Sequence, residues 1–329
     1  VIGPRAFSSL ELKHYVTVAQ RMSQKKAVRD NIGRAKKGLV AKSTHGKGGM
    51  ELAICALRHL FSYPVANGVL PANPAEKLKK PRRNETKRRS LSDKKLPEFL
   101  DAVAGGGDDP EFDVMMCAFH METGARQGGA VSLQVGHLRW ANQMVELTEK
   151  GAKVADQPVS LELLEQLESF AISRGGEACD HKSPAYDPTR PVFYYLHPMD
   201  SSDGSPVPHP LSDRRYDTLY KRIQKSLPWA NEIGLTNHCI RRTGASIIER
   251  IAGTQTARLF LRHGNRNVTD IYAQSSLQRL ATAVSIYTGS AHPLSDQDPE
   301  APAPADGEGP HLLPTATPIH HDPSTPQPT

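Results

Sequence analysis

The chain has 329 residues, long enough for two domains, and its 38% hydrophobic and 23% charged residues suit a globular protein. Its longest apolar runs fall short of the ~18 residues of a membrane span, which argues against a membrane-embedded chain. The formal charge of +6 conceals an asymmetry: residues 290–329 hold six acids and no Lys or Arg, so residues 1–289 carry 41 basic against 29 acidic residues, a surplus that favours a polyanionic partner through counterion release.

In chain order, Ser8 and Glu11 read as a capping box, followed by Leu12, Tyr15, Val16, Ala19 and Met22 at helical spacing. Val28, Ile32, Ala35 and Leu39 predict a second helix. After a Gly-rich break at Gly46–Gly49, Leu52, Ile54, Cys55, Leu57, Leu60 and Phe61 predict a third, which Pro64 should end or kink. These make an α-helical module over residues 1–76. Residues 77–91 form a basic linker, with eight cations between Lys77 and Arg89 and one acid, Glu85. Such a run cannot pack, so it is either a solvated tether or a bridge along a phosphate backbone. The candidate DNA contacts there are Lys79, Lys80, Arg82, Arg83, Lys87, Arg88 and Arg89.

The next domain spans residues 92–288. Ser92 is expected to cap a helix carrying Leu96, Phe99, Leu100 and Val103. A second apolar helix, Phe112 to Met121, leads to Thr123-Gly124-Ala125-Arg126, and Ala130 to Leu133 continue from it. Leu138–Trp140, Met144–Leu147 and Val154–Val159 predict three short strands. An amphipathic helix follows from Leu161 to Ile172. Gly175 to Pro210 reads as a loop broken at Val192–Leu196 by one strand or short helix. Tyr216, Leu219, Tyr220 and Ile223 predict a helix ending near Pro228, and Leu277, Leu280, Ala281, Val284 and Tyr287 place one more at the end. Residues 289–329 are Pro-rich without periodicity and are expected to be disordered. Cys55, Cys117, Cys179 and Cys239 show no metal spacing and are expected to be buried thiols. With no visible signal peptide, a cytoplasmic, nucleoid-associated protein is expected. The chain opens on Val1, so its native start is expected to be missing or altered.

Several chemistry-bearing residues recur in a fixed order. They are Arg126 after Thr123-Gly124, then Lys150-Gly151, His238-Cys239-Ile240-Arg241-Arg242-Thr243, Leu261-Arg262-His263-Gly264 and Tyr272. Attack on a phosphodiester adds charge to an anion, and positioned cations offset it. Arg is suited because its planar fork binds two oxygens and stays protonated. His238 and Arg241, three apart on a helix, share a face. A Lys in a turn can protonate a leaving hydroxyl, worth roughly 10²–10⁴-fold; Lys153 competes with Lys150 for that part. Each residue also has an ordinary reading: an exposed Arg, solvated turn lysines, or a His at a helix C-terminus.

Taken together, these motifs resemble the tyrosine recombinase, or phage integrase, family over roughly residues 40–288. The resemblance implies a mainly α protein: an N-terminal helical core-binding domain, then an integrase-type α+β catalytic domain with a small antiparallel three-stranded sheet. It implies Arg126 and Arg241 as phosphate clamps, Lys150 as the acid, His238 and His263 as proton-handling or orienting groups, and Tyr272 as the nucleophile. Arg242 would lie on the DNA backbone or be structural. Neither a cofactor nor a metal is implied. The partners would be duplex attachment sites, a homotetramer on DNA and an accessory DNA-bending or directionality factor. Three departures stand out: Pro64; Gly129, where many members carry an acid; and Arg262, where the usual pattern is Leu-Gly-His. A relaxing topoisomerase and a catalytically lapsed DNA-binding regulator are the competing functions.

Overall fold

The computed structural model describes residues 12–35, 47–81, 90–149, 153–197, 207–262 and 270–295. The chain divides into two compact units, Val1–Lys87 and Arg88–Thr329.

In the first unit, α1 (Leu12–Ala35) is one continuous helix where two were expected. Between the two apolar stripes lie Ser23, Gln24, Lys25, Lys26 and Ala27, none of which breaks a helix. Val28 and Ile32 of the expected second stripe are exposed. The second helix, α2 (Lys47–Ala66), runs through Pro64 rather than ending there. Pro64 sits in its last turn, so the lost N–H deprives only one carbonyl, and Val69 N–H returns to Pro64 O at 2.9 Å. Tyr15, Ala19, Ala53, Ile54, Phe61, Ala75 and Leu78 form this unit's core. Arg58 ties it off, donating to the carbonyls of Glu76 at 2.9 Å and Leu78 at 2.7 Å.

The second unit contains α3 (Lys95–Ala104), α4 (Pro110–Thr123), α5 (Gln127–Val131), β1 (Leu138–Arg139), β2 (Met144–Glu149), β3 (Lys153–Pro158) and α6 (Leu161–Gly175). After these come β4 (Tyr194–His197), β5 (Val207–Pro210), α7 (Asp213–Ser226), α8 (Pro228–Ile233), α9 (Asn237–Phe260) and α10 (Asp270–Thr288). The protein is mainly α, with the antiparallel sheet β1-β2-β3 and a two-stranded sheet β4-β5. Ser92 offers α3 its carbonyl, which accepts from Lys95 and Leu96 N–H, and not the expected side-chain cap. Where one strand or short helix was expected within a loop, the chain forms the two-stranded ribbon β4-β5. Pro208 and Pro210 alternate along β5, and a strand with alternate prolines can pair on one side only, so its composition reads as loop.

The core is built on α4, whose Phe112, Met116, Cys117, Phe119 and Met121 are all buried. α9 crosses it backbone to backbone: a Cβ on Gly244 would lie 2.1 Å from the Met121 carbonyl oxygen. Buried charges lock the far side, with Asp113 bonded to Arg215 at 2.7 Å and Arg222 at 3.0 Å. α9 is broken at Gly253, whose φ of 79° and ψ of 172° suit glycine. Beyond α10 the chain stays packed to Ser295: His292 is buried and its Nε2 meets Gln143 O at 3.0 Å. Residues 289–295, expected to open a disordered tail, are therefore packed, because a single buried imidazole anchors a segment whose composition looks unstructured, and residues 296–329 lie outside the described residues. Cys117, Cys179 and Cys239 are buried free thiols, and Cys55 is half-buried. Among the described residues, no helix is long and apolar enough to cross a membrane.

Candidate active site

The site grows from the end of α4. Gly124 closes that helix in the left-handed region, φ 56° and ψ 26°. A Cβ there would also come within 2.5 Å of the Phe260 ring, so the position admits only glycine. Thr123 Oγ1 donates to Phe119 O at 2.5 Å and accepts from Ala125 N–H at 3.1 Å, fixing the turn from inside. Behind it His120 is fully buried. Burial pulls its pKa down to about 3, helped by the charges of Arg241 and Arg262, so it is neutral. The Ala125 carbonyl can only accept, so Nδ1–H donates to it at 3.1 Å, and Nε2 accepts from the Tyr216 hydroxyl at 2.6 Å. This turn presents Arg126, half-buried, as the N-cap of α5.

His238 and Arg241 occupy the first turns of α9, His238 half-buried and Arg241 buried. The Arg241 guanidinium donates to the carbonyls of Gly124 and Leu261. The Leu261 bond depends on the break at Gly253. Twenty residues of straight helix would separate the two by ~30 Å, and the sharp bend brings α9's end back to its start.

Arg262 is the residue that sequence reasoning noted only as a departure. Its φ is 51°, a conformation that costs a non-glycine residue about 1–2 kcal/mol. Its guanidinium donates to Thr123 O at 3.0 Å, Gly124 O at 2.6 Å and the Gln157 side chain on β3 at 2.5 Å. Burial, then Arg262 and Arg126, draw the Arg241 pKa down to about 9. Burial and Arg126 do the same to Arg262, also to about 9. Both stay cationic at neutral pH, and each feels Arg126, so three guanidinium groups gather at one turn. The buried carboxyl nearest in sequence, Glu122, accepts from Ser160 N–H at 2.6 Å, and burial raises its pKa to about 7. Guanidinium groups are the side chains best suited to hold an anion's oxygens, because their planar forks donate to two at once and stay protonated.

Tyr272 is the third residue of α10, and its side chain lies outside the described part. Lys150 and His263 lie outside the described residues. Lys150 falls between β2 and β3, whose last paired residues are Glu149 and Lys153. Arg242 is exposed on α9, and Lys79 and Lys80 are exposed in the first unit. Arg82, Arg83, Lys87, Arg88 and Arg89 lie outside the described residues. Tyr287 is buried, and burial raises its pKa far above the phenol range, which makes it a packing residue. Among the described residues, Glu168, Asp180 and His181 bring possible metal-ligand atoms within 4.8 Å of one another. They are already engaged, His181 with Glu168 and Asp180 with Lys182 N–H.

The second unit is mainly helical with a small antiparallel sheet, and three arginines meet at the turn that ends α4. Residues 89–279 match the phage integrase family. The chain belongs to that family and is a tyrosine-type site-specific DNA recombinase. It is 26% identical over 264 residues to the tyrosine recombinase XerC of Pseudomonas putida KT2440, covering 76% of each chain. To XerC of Actinobacillus pleuropneumoniae serotype 7 it is 24% identical, covering 78% of this chain and 74% of the relative. Among solved structures it resembles a lambda integrase dimer bound to a COC' core site, with 14% identity and a TM-score of 0.48. That likeness covers 82% of this chain and 66% of the other.

Proposed function

We propose that this recombinase cleaves and rejoins DNA strands through a 3′-phosphotyrosyl intermediate on Tyr272, in the integration or excision of a mobile element. The observation that carries the reading is the meeting of Arg126, Arg241 and Arg262 at the Thr123–Gly124 turn. Arg126 and Arg241 bind the non-bridging oxygens of the scissile phosphate. The Tyr272 oxygen attacks phosphorus, the bond to the 5′-oxygen breaks, and Lys150 gives that oxygen a proton. His238 and His263 handle the tyrosine proton and orient the phosphate. The bond energy is kept in the phosphotyrosine, so a 5′-hydroxyl of another strand reverses the step without ATP. Exchange between two duplexes cuts four strands, one tyrosine each, which supports a homotetramer on two attachment sites. The basic surplus of residues 1–289, with Lys79, Lys80, Arg82, Arg83, Lys87, Arg88, Arg89 and Arg242, supplies sequence-independent grip on the backbone.

The test begins with nicked suicide duplexes, selected from a randomised pool by covalent capture on the wild-type chain. Tyr272→Phe should bind the selected duplex with wild-type affinity and form no adduct. Mapping the DNA to another residue would overturn the assignment, and no adduct under any condition would favour a lapsed regulator. A duplex with sulfur at the 5′-bridging position then separates the acid from the clamps, because a thiolate leaves without protonation. Lys150→Ala should be slow on ordinary DNA and recover on the sulfur duplex, while Arg126→Ala and Arg241→Ala stay slow on both. Rescue of Lys153→Ala instead would move the acid to Lys153.

A further inference from the structure

Arg262 holds an unfavourable backbone conformation, and both terminal nitrogens of its guanidinium donate to protein oxygens. Its φ of 51° is one that a glycine would occupy freely. Its three acceptors belong to two different elements: the carbonyls of Thr123 and Gly124 at the end of α4, and the Gln157 side chain on β3. Arg241 donates to the same Gly124 carbonyl and to the carbonyl of Leu261, the residue before Arg262. One side chain therefore connects the turn that presents Arg126, the anchor of Arg241, and the hairpin β2-β3. Gly129, on α5 three residues after Arg126, has no side chain with which to brace that turn. A lysine could not replace it: an ammonium is a point charge on a flexible stem, whereas the planar fork addresses several oxygens at fixed angles.

We infer that Arg262 is a positioning residue for strand cleavage, bracing the Thr123–Gly124 turn against β3 so that Arg126 and Arg241 face one phosphate together. This rests on the cleavage reading proposed above. Arg262 acts through the two clamps and not on the leaving group or the nucleophile. Its loss should therefore slow the covalent step at saturating DNA while leaving duplex binding, which is spread over many phosphates, nearly intact.

Two measurements on the full chain test it. In the first, Arg262→Gly, Arg262→Lys, Gln157→Leu and Arg262→Gly/Gln157→Leu are compared on the captured suicide duplex in single turnover. Arg262→Gly should lose at least tenfold in the saturating rate, with Kd within about threefold of wild type and thermal stability preserved by the relieved φ. Arg262→Lys should not restore the rate. Gln157→Leu should lose less, and the double variant should be no slower than Arg262→Gly, since both remove one brace. A wild-type rate in Arg262→Gly, or rate losses that multiply in the double variant, would overturn the inference. In the second, inorganic phosphate is titrated against wild type and Arg262→Gly at constant ionic strength, followed by the arginine side-chain NMR signals. Affinity should fall about tenfold in the variant, and equal affinity would overturn the inference. This arm needs no DNA, so absence of any covalent capture by wild type would count against the cleavage reading alone.

Discussion

A single carbonyl oxygen, that of Gly124, receives both Arg241 and Arg262. A carbonyl oxygen has two lone pairs and can accept twice, and burial keeps competing water away from this one. The neighbouring Glu122 shows the other side of burial. Its carboxyl is raised from an ordinary 4.5 to about 7. A raised folded pKa means stability that is full below pH 4.5 and is lost as pH climbs through 7, on the order of 3 kcal/mol. His120 runs the opposite way, its folded pKa lying far below the ordinary 6.5, so its contribution is full above pH 6.5 and fades toward pH 3. Glu122→Gln isolates the first effect, because His120 is common to both proteins. The urea-derived stability of the variant relative to wild type should rise between pH 4 and pH 8. An unchanged difference across that range would show that Glu122 ionises as freely folded as unfolded. At this scale the sequence was most legible where a motif names a residue type. Arg126, His238 and Arg241 were singled out by pattern, whereas His120 bonds Tyr216 across 96 residues and Gln157 bonds Arg262 across 105, which no local pattern encodes.

Among the elements, the three-stranded sheet and several helices of the second unit followed from the spacing or continuity of their apolar residues. The failures have separate causes. α1 was divided because Val28 and Ile32 look like a second core stripe, yet both are exposed. β5 was missed because its prolines mask an edge strand, and the α3 cap was misread because a carbonyl can do what the Ser92 side chain was expected to do. Close approach of backbones is equally invisible to periodicity. Gly244→Ala would drive a Cβ to 2.1 Å from the Met121 oxygen, backbone that cannot swing aside. We expect a loss of about 1–3 kcal/mol or more. Gly253→Ala meets no neighbour within 4 Å, so its cost of about 1–3 kcal/mol comes from backbone conformation alone. Gly128→Ala, in a helix with open space around it, should be neutral or slightly stabilising. Thermal melts of the three variants should fall in that order, and an unaffected Gly244→Ala would mean that α4 and α9 are farther apart than described.

For the molecule as a whole, charge and burial divide the chain differently from composition. The acid-rich end begins near residue 290 by composition, but the packed structure reaches Ser295 through His292. Ending the chain after residue 295 should leave the melting temperature unchanged, and DNA affinity at low salt may be compared with and without the acidic end to detect screening of the basic surface. Ending it after residue 288 should lower the melting temperature, since His292 and its bonds are removed. Equal melts for the two truncations would show that residues 289–295 add nothing to stability.

The bend at Gly253 also bears on the order of assembly. Arg241 and Leu261 are only 20 residues apart, so the bond between them closes a short loop, and the entropy of that closure grows slowly with length. The bonds from Arg262 to Thr123 and Gly124 span 139 and 138 residues. The helical hairpin of α9 can thus form early from local contacts, carrying Arg241 already aimed, and wait for α4 to dock. A chain that folds in this order brings its like charges together last, when the surrounding core is already in place to hold them.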